Sequence, residues 1–271
     1  MRGRYHNDHM IKAVLFDLGD TLWHFPQMPP IEVIRGETVH RISDLLRAWG
    51  VEPEGELFFL GRDIRAAIEK ATDEAYWGDL TSPDYPSLAR SVAARKGLSI
   101  TSDQAEDLWH TWNLGGVFLG RQLYPGVTET LRWLKERGYR IGSVTNRGLG
   151  GEPFREELRH HGVLDIFEVL SISCEVGYLK PHPRIFEHAL DALGVDPADT
   201  VMVGDSLRAD VAGAKALGMT AIWKRNHSSA RGDPERDMAT SEDSDASQSL
   251  TTPDFIVDNL SELMSLPVFQ S

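Results

Sequence analysis

The chain has 271 residues, room for one large domain with an insertion or for two modest ones. Hydrophobic residues make up 41% and charged residues 25%, an ordinary balance for a globular chain with a buried core. The net charge of −13 repels nucleic-acid phosphates and anionic lipid heads, so neither is expected as a partner; a small anionic substrate stays open, because a cation can reverse a local field.

In chain order, residues 1–10 (MRGRYHNDHM) lack the apolar stretch of a signal peptide and are expected as a flexible tail. No apolar run approaches a membrane span, and the one cysteine, Cys174, permits no internal disulfide; both fit a cytoplasmic protein, monomer or homodimer. Residues 11–16 (IKAVLF) predict a strand buried on both faces. From about 31 to 119 the pattern is helical, over 32–49, 56–76, 87–96 and 102–112, with no strand between. Strands are then predicted over 140–145, 169–173, 200–203, 220–223 and 255–257. Helices over 127–137, 153–161, 184–193 and 208–217 alternate with them, each stopped by a glycine. That alternation predicts an α/β fold with a Rossmann-like parallel sheet core over 11–22 and 121–271, and an inserted helical cap over 23–120. Residues 226–253, rich in Ser, Thr, Asp and Gly, read as a disordered acidic loop.

Ligands of an open parallel sheet bind beyond the carboxyl ends of its strands. The residues there are Asp17-Leu18-Gly19-Asp20-Thr21, Thr145-Asn146-Arg147, Lys180 and Gly204-Asp205-Ser206, with Asp210 five places past Asp205. Clustered carboxylates repel one another unless a cation neutralises them, and hard oxygen ligands point to Mg²⁺. Thr145, Asn146 and Lys180 suit phosphate oxygens, and a carboxylate facing the phosphorus can attack it.

FDLGDTL (16–22), SVTN (143–146), GYLKPHPRIF (177–186) and VGDSLRADVAGAKALGM (203–219), in this order, resemble the haloacid dehalogenase (HAD) superfamily. The resemblance implies a phosphatase with a helical cap, acting on a small soluble phosphorylated metabolite through an aspartyl phosphate. It implies that Asp17 is nucleophile and metal ligand, that Thr145 and Asn146 bind phosphate, that Lys180 stabilises charge, and that Asp205 and Asp210 support Mg²⁺. Family phosphatases usually carry a second Asp two places after the nucleophile, as the acid and base of the reaction. Here Gly19 stands there, able to offer the metal only a backbone carbonyl, and Asp20 stands where the family usually has Gly. Asp20, His24 or a cap residue are the open substitutes. A dehalogenase, or a non-catalytic relative that binds a phosphometabolite or a partner, are the alternatives. Cys174 and His182 read as structural, Arg208 as solvated, and Trp49, Trp77, Trp109 and Trp112 as cap core.

Overall fold

The computed structural model describes residues 10–226 and 251–270. The expected tail and acidic loop lie outside the described residues, apart from Met10, Asn226 and 251–253. The strands are β1 (Ala13–Phe16), β2 (Trp23–His24), β3 (Gln122–Leu123), β4 (Arg140–Thr145), β5 (Val169–Ile172), β6 (Thr200–Gly204), β7 (Thr220–Lys224) and β8 (Phe255–Val257). The helices are α1 (Ile31–Ala48), α2 (Leu60–Trp77), α3 (Tyr85–Arg95), α4 (Ser102–Trp112), α5 (Gly115–Phe118), α6 (Val127–Glu136), α7 (Gly151–His160), α8 (Ser173–Val176), α9 (Pro183–Leu193) and α10 (Gly213–Ala216).

Six strands form a parallel sheet in the order β5-β4-β1-β6-β7-β8. Phe16 of β1 stands level with Ser143 of β4 and Val203 of β6. Successive side chains of β1 go to opposite faces. Val14 and Phe16 pack with Leu131, Leu134, Phe154 and Leu158 of α6 and α7, while Ala13 and Leu15 pack with Ile185, Phe186 and Ala189 of α9. Each large side chain so buried contributes roughly 1.5–3 kcal/mol. Because β4, β1 and β6 are neighbours running the same way, the residues that follow them emerge together at one sheet edge, where the strand order changes direction.

Helices α1 to α5 lie between β2 and β3, which pair antiparallel. Helices α1 to α4 share their own core of Ile42, Leu46, Leu60, Ile64, Tyr85 and Leu108. Asp84 caps α3 by accepting from Ser87 N (3.1 Å), and Thr101 and Gln104 form a reciprocal box at the start of α4. This helical module rests on the sheet domain at several points. Trp109 Nε1 donates to Gly148 O (2.7 Å), Leu179 N to Leu80 O (2.7 Å) and Arg208 Nη2 to Tyr76 O (3.0 Å).

Arg208 is therefore not a solvated side chain: its guanidinium also lies over the rings of Tyr76 (4.3 Å) and Trp77 (4.5 Å). Trp77 is half exposed and does not belong to the module's core, whereas Trp112 is buried. The helix predicted over 56–76 starts as a 3₁₀ turn, Gly55–Phe59. The one predicted over 208–217 is a π-helical turn, Leu207–Ala212, followed by α10. Asp210 is the cause. Its carboxylate is drawn under the end of β6, where Oδ2 accepts from Ser206 N (3.0 Å), and Ser206 O receives both Asp210 N and Val211 N. Gly204 makes room, since a Cβ there would overlap the Asp210 carboxyl group. Gly204→Ala is expected to lower stability by about 1–3 kcal/mol in urea unfolding, as overpacking does.

Candidate active site

Asp17 follows β1 and is buried, its N donating to Val203 O (2.9 Å). Lys180, also buried, donates from Nζ to Asp17 Oδ1 (2.6 Å) and to Asp210 Oδ1 (2.7 Å). Asn146 fixes the lysine's backbone through both ends of its amide, with Lys180 N to Oδ1 at 2.7 Å and Nδ2 to Lys180 O at 3.1 Å. The Asn146 side chain is thus engaged with Lys180, and both Asn146 and the buried Thr145 line the cleft.

The other oxygen of Asp17, Oδ2, lies 3.2 Å from the Thr21 hydroxyl, which also reaches Asp205 Oδ1 at 3.4 Å. One carboxylate oxygen from each of Asp17, Asp205 and Asp210 falls within 4.8 Å of the others. The electrostatics record that crowding. Burial, then Asp17, Asp210 and Asp20, push the Asp205 carboxyl well above the usual range. Burial pushes Asp210 up to about 6 against the pull of Lys180. Burial alone would lower Lys180, but Asp17 and Asp210 outweigh it and raise it. The Lys180 ammonium pairs with two of the three clustered carboxylates, Asp17 and Asp210, and the hard oxygens of all three fit a small divalent cation such as Mg²⁺.

A cleft of about 230 Å³ holds Asp17, Gly19, Asp20, Thr145, Lys180 and Asp205, with Tyr76 of the helical module at its wall. Every residue singled out from the sequence for this site, Asp210 and Asn146 included, lines it. Gly19 is exposed, and a Cβ there would meet no atom within 4 Å. Asp20 has φ 55°, a left-handed backbone that Asp tolerates better than most residues. Its carbonyl accepts from Lys224 Nζ (2.9 Å) and Asn226 Nδ2 (2.7 Å). Lys224 is buried over the Tyr124 ring (3.6 Å), and burial pushes its ammonium down to about 8 against Asp205 and Asp20. His24 stacks on the other partner of that lysine, Tyr124 (4.1 Å), and is not among the cleft's lining residues.

Sequence reasoning gave Thr21 no role and did not single out Lys224 or Asn226. Thr21 stands inside the FDLGDTL motif, and Lys224 is the last residue of β7, so the rule of strand ends reaches it. Cys174 has no role here: burial pushes its thiol up to about 12, far from a reactive thiolate.

A sequence profile of the haloacid dehalogenase-like hydrolases matches residues 11–218, and a HAD-hydrolase-like profile matches 178–263. The chain belongs to the haloacid dehalogenase-like hydrolases. It is 31% identical over 257 residues to a glyceraldehyde 3-phosphate phosphatase of Methanopyrus kandleri, covering 95% of this chain and 97% of that one. It is 32% identical over 241 residues to a phosphoserine phosphatase of Thermus thermophilus, covering 79% and 88%. The crystal structure of a HAD phosphatase from Thermococcus onnurineus superposes with a TM-score of 0.53 at 28% identity, covering 94% of this chain and 97% of that one. As a HAD-like hydrolase the chain shares an α/β fold with these phosphatases. Among the described residues no helix is long and apolar enough to cross a membrane.

The raised carboxyls set a sign for stability. A carboxyl whose folded pKa exceeds its unfolded one holds its proton longer in the folded state, so stability falls as pH rises from the ordinary carboxylate value through the raised one. In divalent-free buffer the melting temperature is expected to drop between about pH 4 and 6 by this contribution. Asp205→Asn is expected to lessen the fall of the melting temperature with rising pH, checked by melts at successive pH values.

Proposed function

We propose that the chain is a Mg²⁺-dependent phosphatase, hydrolysing a small soluble phosphate monoester through an aspartyl phosphate on Asp17. The observation that carries this reading is the position of Asp17, one oxygen against the buried Lys180 ammonium and the other in reach of Thr21 among clustered carboxylates. The phosphatase relatives support the substrate class. Asp17, Asp205 and Asp210, with the Gly19 carbonyl, would hold Mg²⁺, which when bound neutralises these carboxylates and polarises the phosphoryl oxygens.

The residues of the chain supply the rest. The Thr145 hydroxyl, main-chain N–H groups at Thr145 and Asn146, and Lys180 Nζ receive the phosphoryl oxygens and orient the ester in line with Asp17. An Asp17 carboxylate oxygen bonds to phosphorus as the ester P–O bond breaks, and the alkoxide leaves with the electron pair and takes its proton from water. Water then attacks the acyl phosphate, releasing inorganic phosphate and restoring Asp17. Lys180, whose ammonium lies 2.6 Å from Asp17 Oδ1, offsets repulsion between an anionic nucleophile and an anionic ester. The helical module, resting on the cleft through Tyr76, limits the access of water.

The leaving alkoxide needs a proton, and Gly19 has none to give. Esters with good leaving groups are therefore the preferred substrates. Three crowded carboxylates favour phosphoryl transfer over halide displacement, which needs no cation.

The test is phosphate release from p-nitrophenyl phosphate. Turnover is expected with Mg²⁺, to stop with EDTA, and to fall by roughly 10³-fold or more in Asp17→Asn. Beryllium fluoride with Mg²⁺ is expected to raise the melting temperature of the wild type and not of Asp17→Asn. Failure of both readouts in the wild type overturns the assignment. Because the space at Gly19 is open, Gly19→Asp is expected to fold normally. It is also expected to raise turnover of alkyl phosphates by about 10²-fold, the low end of general acid catalysis; unchanged alkyl ester rates would show that the missing acid does not limit the reaction.

A further inference from the structure

Behind the carboxylate cluster three segments meet: the loop after β1, the turn after β6, and residues 223–226 at the end of β7. Neither Lys224 nor Asn226 is among the cleft's lining residues, yet both reach residues that are. The Asn226 amide ties the three together. Its Nδ2 donates to Asp20 O (2.7 Å) and to Asp205 Oδ2 (3.3 Å), one hydrogen for each acceptor. Its Oδ1 accepts from Lys224 Nζ and lies 3.4 Å from the Tyr124 hydroxyl. Turned over, the amide would set its oxygen against a carbonyl and a carboxylate, and its NH₂ against an ammonium. Lys224, which donates to Asp20 O (2.9 Å) and lies over the Tyr124 ring, therefore fixes which way the amide faces.

Both acceptors bear on atoms that would face the metal. The Thr21 hydroxyl reaches Asp17 Oδ2 (3.2 Å) and Asp205 Oδ1 (3.4 Å), so Oδ1 is the Asp205 oxygen turned towards Asp17. Asn226 holds the other oxygen and so sets the rotation of the carboxylate, while Trp223 Nε1 holds the main chain beneath it by donating to Asp205 O (2.8 Å). On the opposite side, the Gly19 carbonyl and the Asp20 N–H share one peptide plane. That N–H donates to Trp23 O (2.8 Å), and Asn226 and Lys224 hold the next carbonyl. Glycine has the widest backbone freedom of any residue, and a Cβ at Gly19 would meet nothing within 4 Å, so no side chain braces this peptide. The bracing comes from the end of β7 instead. Fastening the two loops needs only the hydrogen given to the Asp20 carbonyl; the second one goes to a carboxylate of the cluster.

We propose that Asn226 is a positioning residue for the metal, its side-chain amide holding the Asp205 carboxylate and the main chain beside Gly19 in fixed relation; this rests on the Mg²⁺-dependent phosphatase reading above. Ligands already held by outer hydrogen bonds lose less freedom when an ion binds. Removing such an outer partner costs about 10–100-fold in metal affinity.

The test is a Mg²⁺ titration of the full chain by isothermal titration calorimetry, without substrate. Asn226→Ala is expected to raise the Kd by about 10–100-fold, and Asn226→Gln, which keeps the amide, to recover part of that loss. Turnover of p-nitrophenyl phosphate by Asn226→Ala is expected to fall at limiting Mg²⁺ and to recover as Mg²⁺ is raised. Arg225→Gln is the control: its partner is Asp258 (2.8 and 3.0 Å), and its Kd is expected to match the wild type. A purely structural Asn226 would lower the melting temperature in divalent-free buffer and leave the Kd of the folded protein unchanged. A wild-type Kd in Asn226→Ala, or an equal loss in Arg225→Gln, overturns the proposal. Should Asn226→Ala not fold, Asn226→Ser decides by the same titration. Unchanged Mg²⁺ affinity alongside phosphate release sinks this inference alone. A wild type that binds no Mg²⁺ overturns it as well, and one that also releases no phosphate sinks the phosphatase reading with it.

Discussion

One buried ammonium sets the terms for the rest of the site. Lys180 Nζ lies between Asp17 and Asp210, and stripping such ions of water costs several kcal/mol each. Only close pairing offsets that cost, so the three side chains must arrive together from different parts of the fold: the end of β1, the turn after β6, and the segment after α8. The parallel order β4-β1-β6 brings the first two side by side, and Asn146 at the end of β4 holds the lysine's main chain in place. The pairing is incomplete by charge, since Asp205 adds a third carboxylate to the same space. An ion-pair cluster short of positive charge is a standing demand for a cation.

The layout of the sheet was readable in advance because parallel strands are apolar runs without alternation, and each helix between them stops at a glycine. The ordered motifs then located Asp17, Thr145, Lys180, Asp205 and Asp210, and the structure gathers all five in one cleft. Features made by pairs of distant residues were not readable. Arg121 and Glu157 are 36 residues apart, and Lys224 meets the Asp20 carbonyl across 204. No local period marks either. β2 and β3 are two residues each, too short to show alternation. Arg208 looked solvated because its partner, the Tyr76 carbonyl, belongs to a helix 132 residues earlier.

The exchange at Gly19 and Asp20 has a structural side beyond the missing acid. A left-handed non-glycine residue is costly unless its surroundings fix it. Here the Asp20 carbonyl takes hydrogen bonds from both Lys224 and Asn226, and its N donates to Trp23 O (2.8 Å). Asp20 is therefore held in a defined pose, and its charge opposes the burial that lowers Lys224 while adding to the repulsion felt by Asp205. The loop after β1 is thus tied to the end of β7 through the Asp20 carbonyl.

Arg208 carries a lesson for anyone who would recombine this chain with its relatives. It projects from the same π-helical turn that carries Asp210, yet its hydrogen-bond acceptor and its aromatic seats, Tyr76 and Trp77, belong to the helical module. The module is thus no interchangeable cartridge. A graft from another protein must bring a carbonyl and two rings to the same place, or strand a half-buried guanidinium two residues from a site carboxylate.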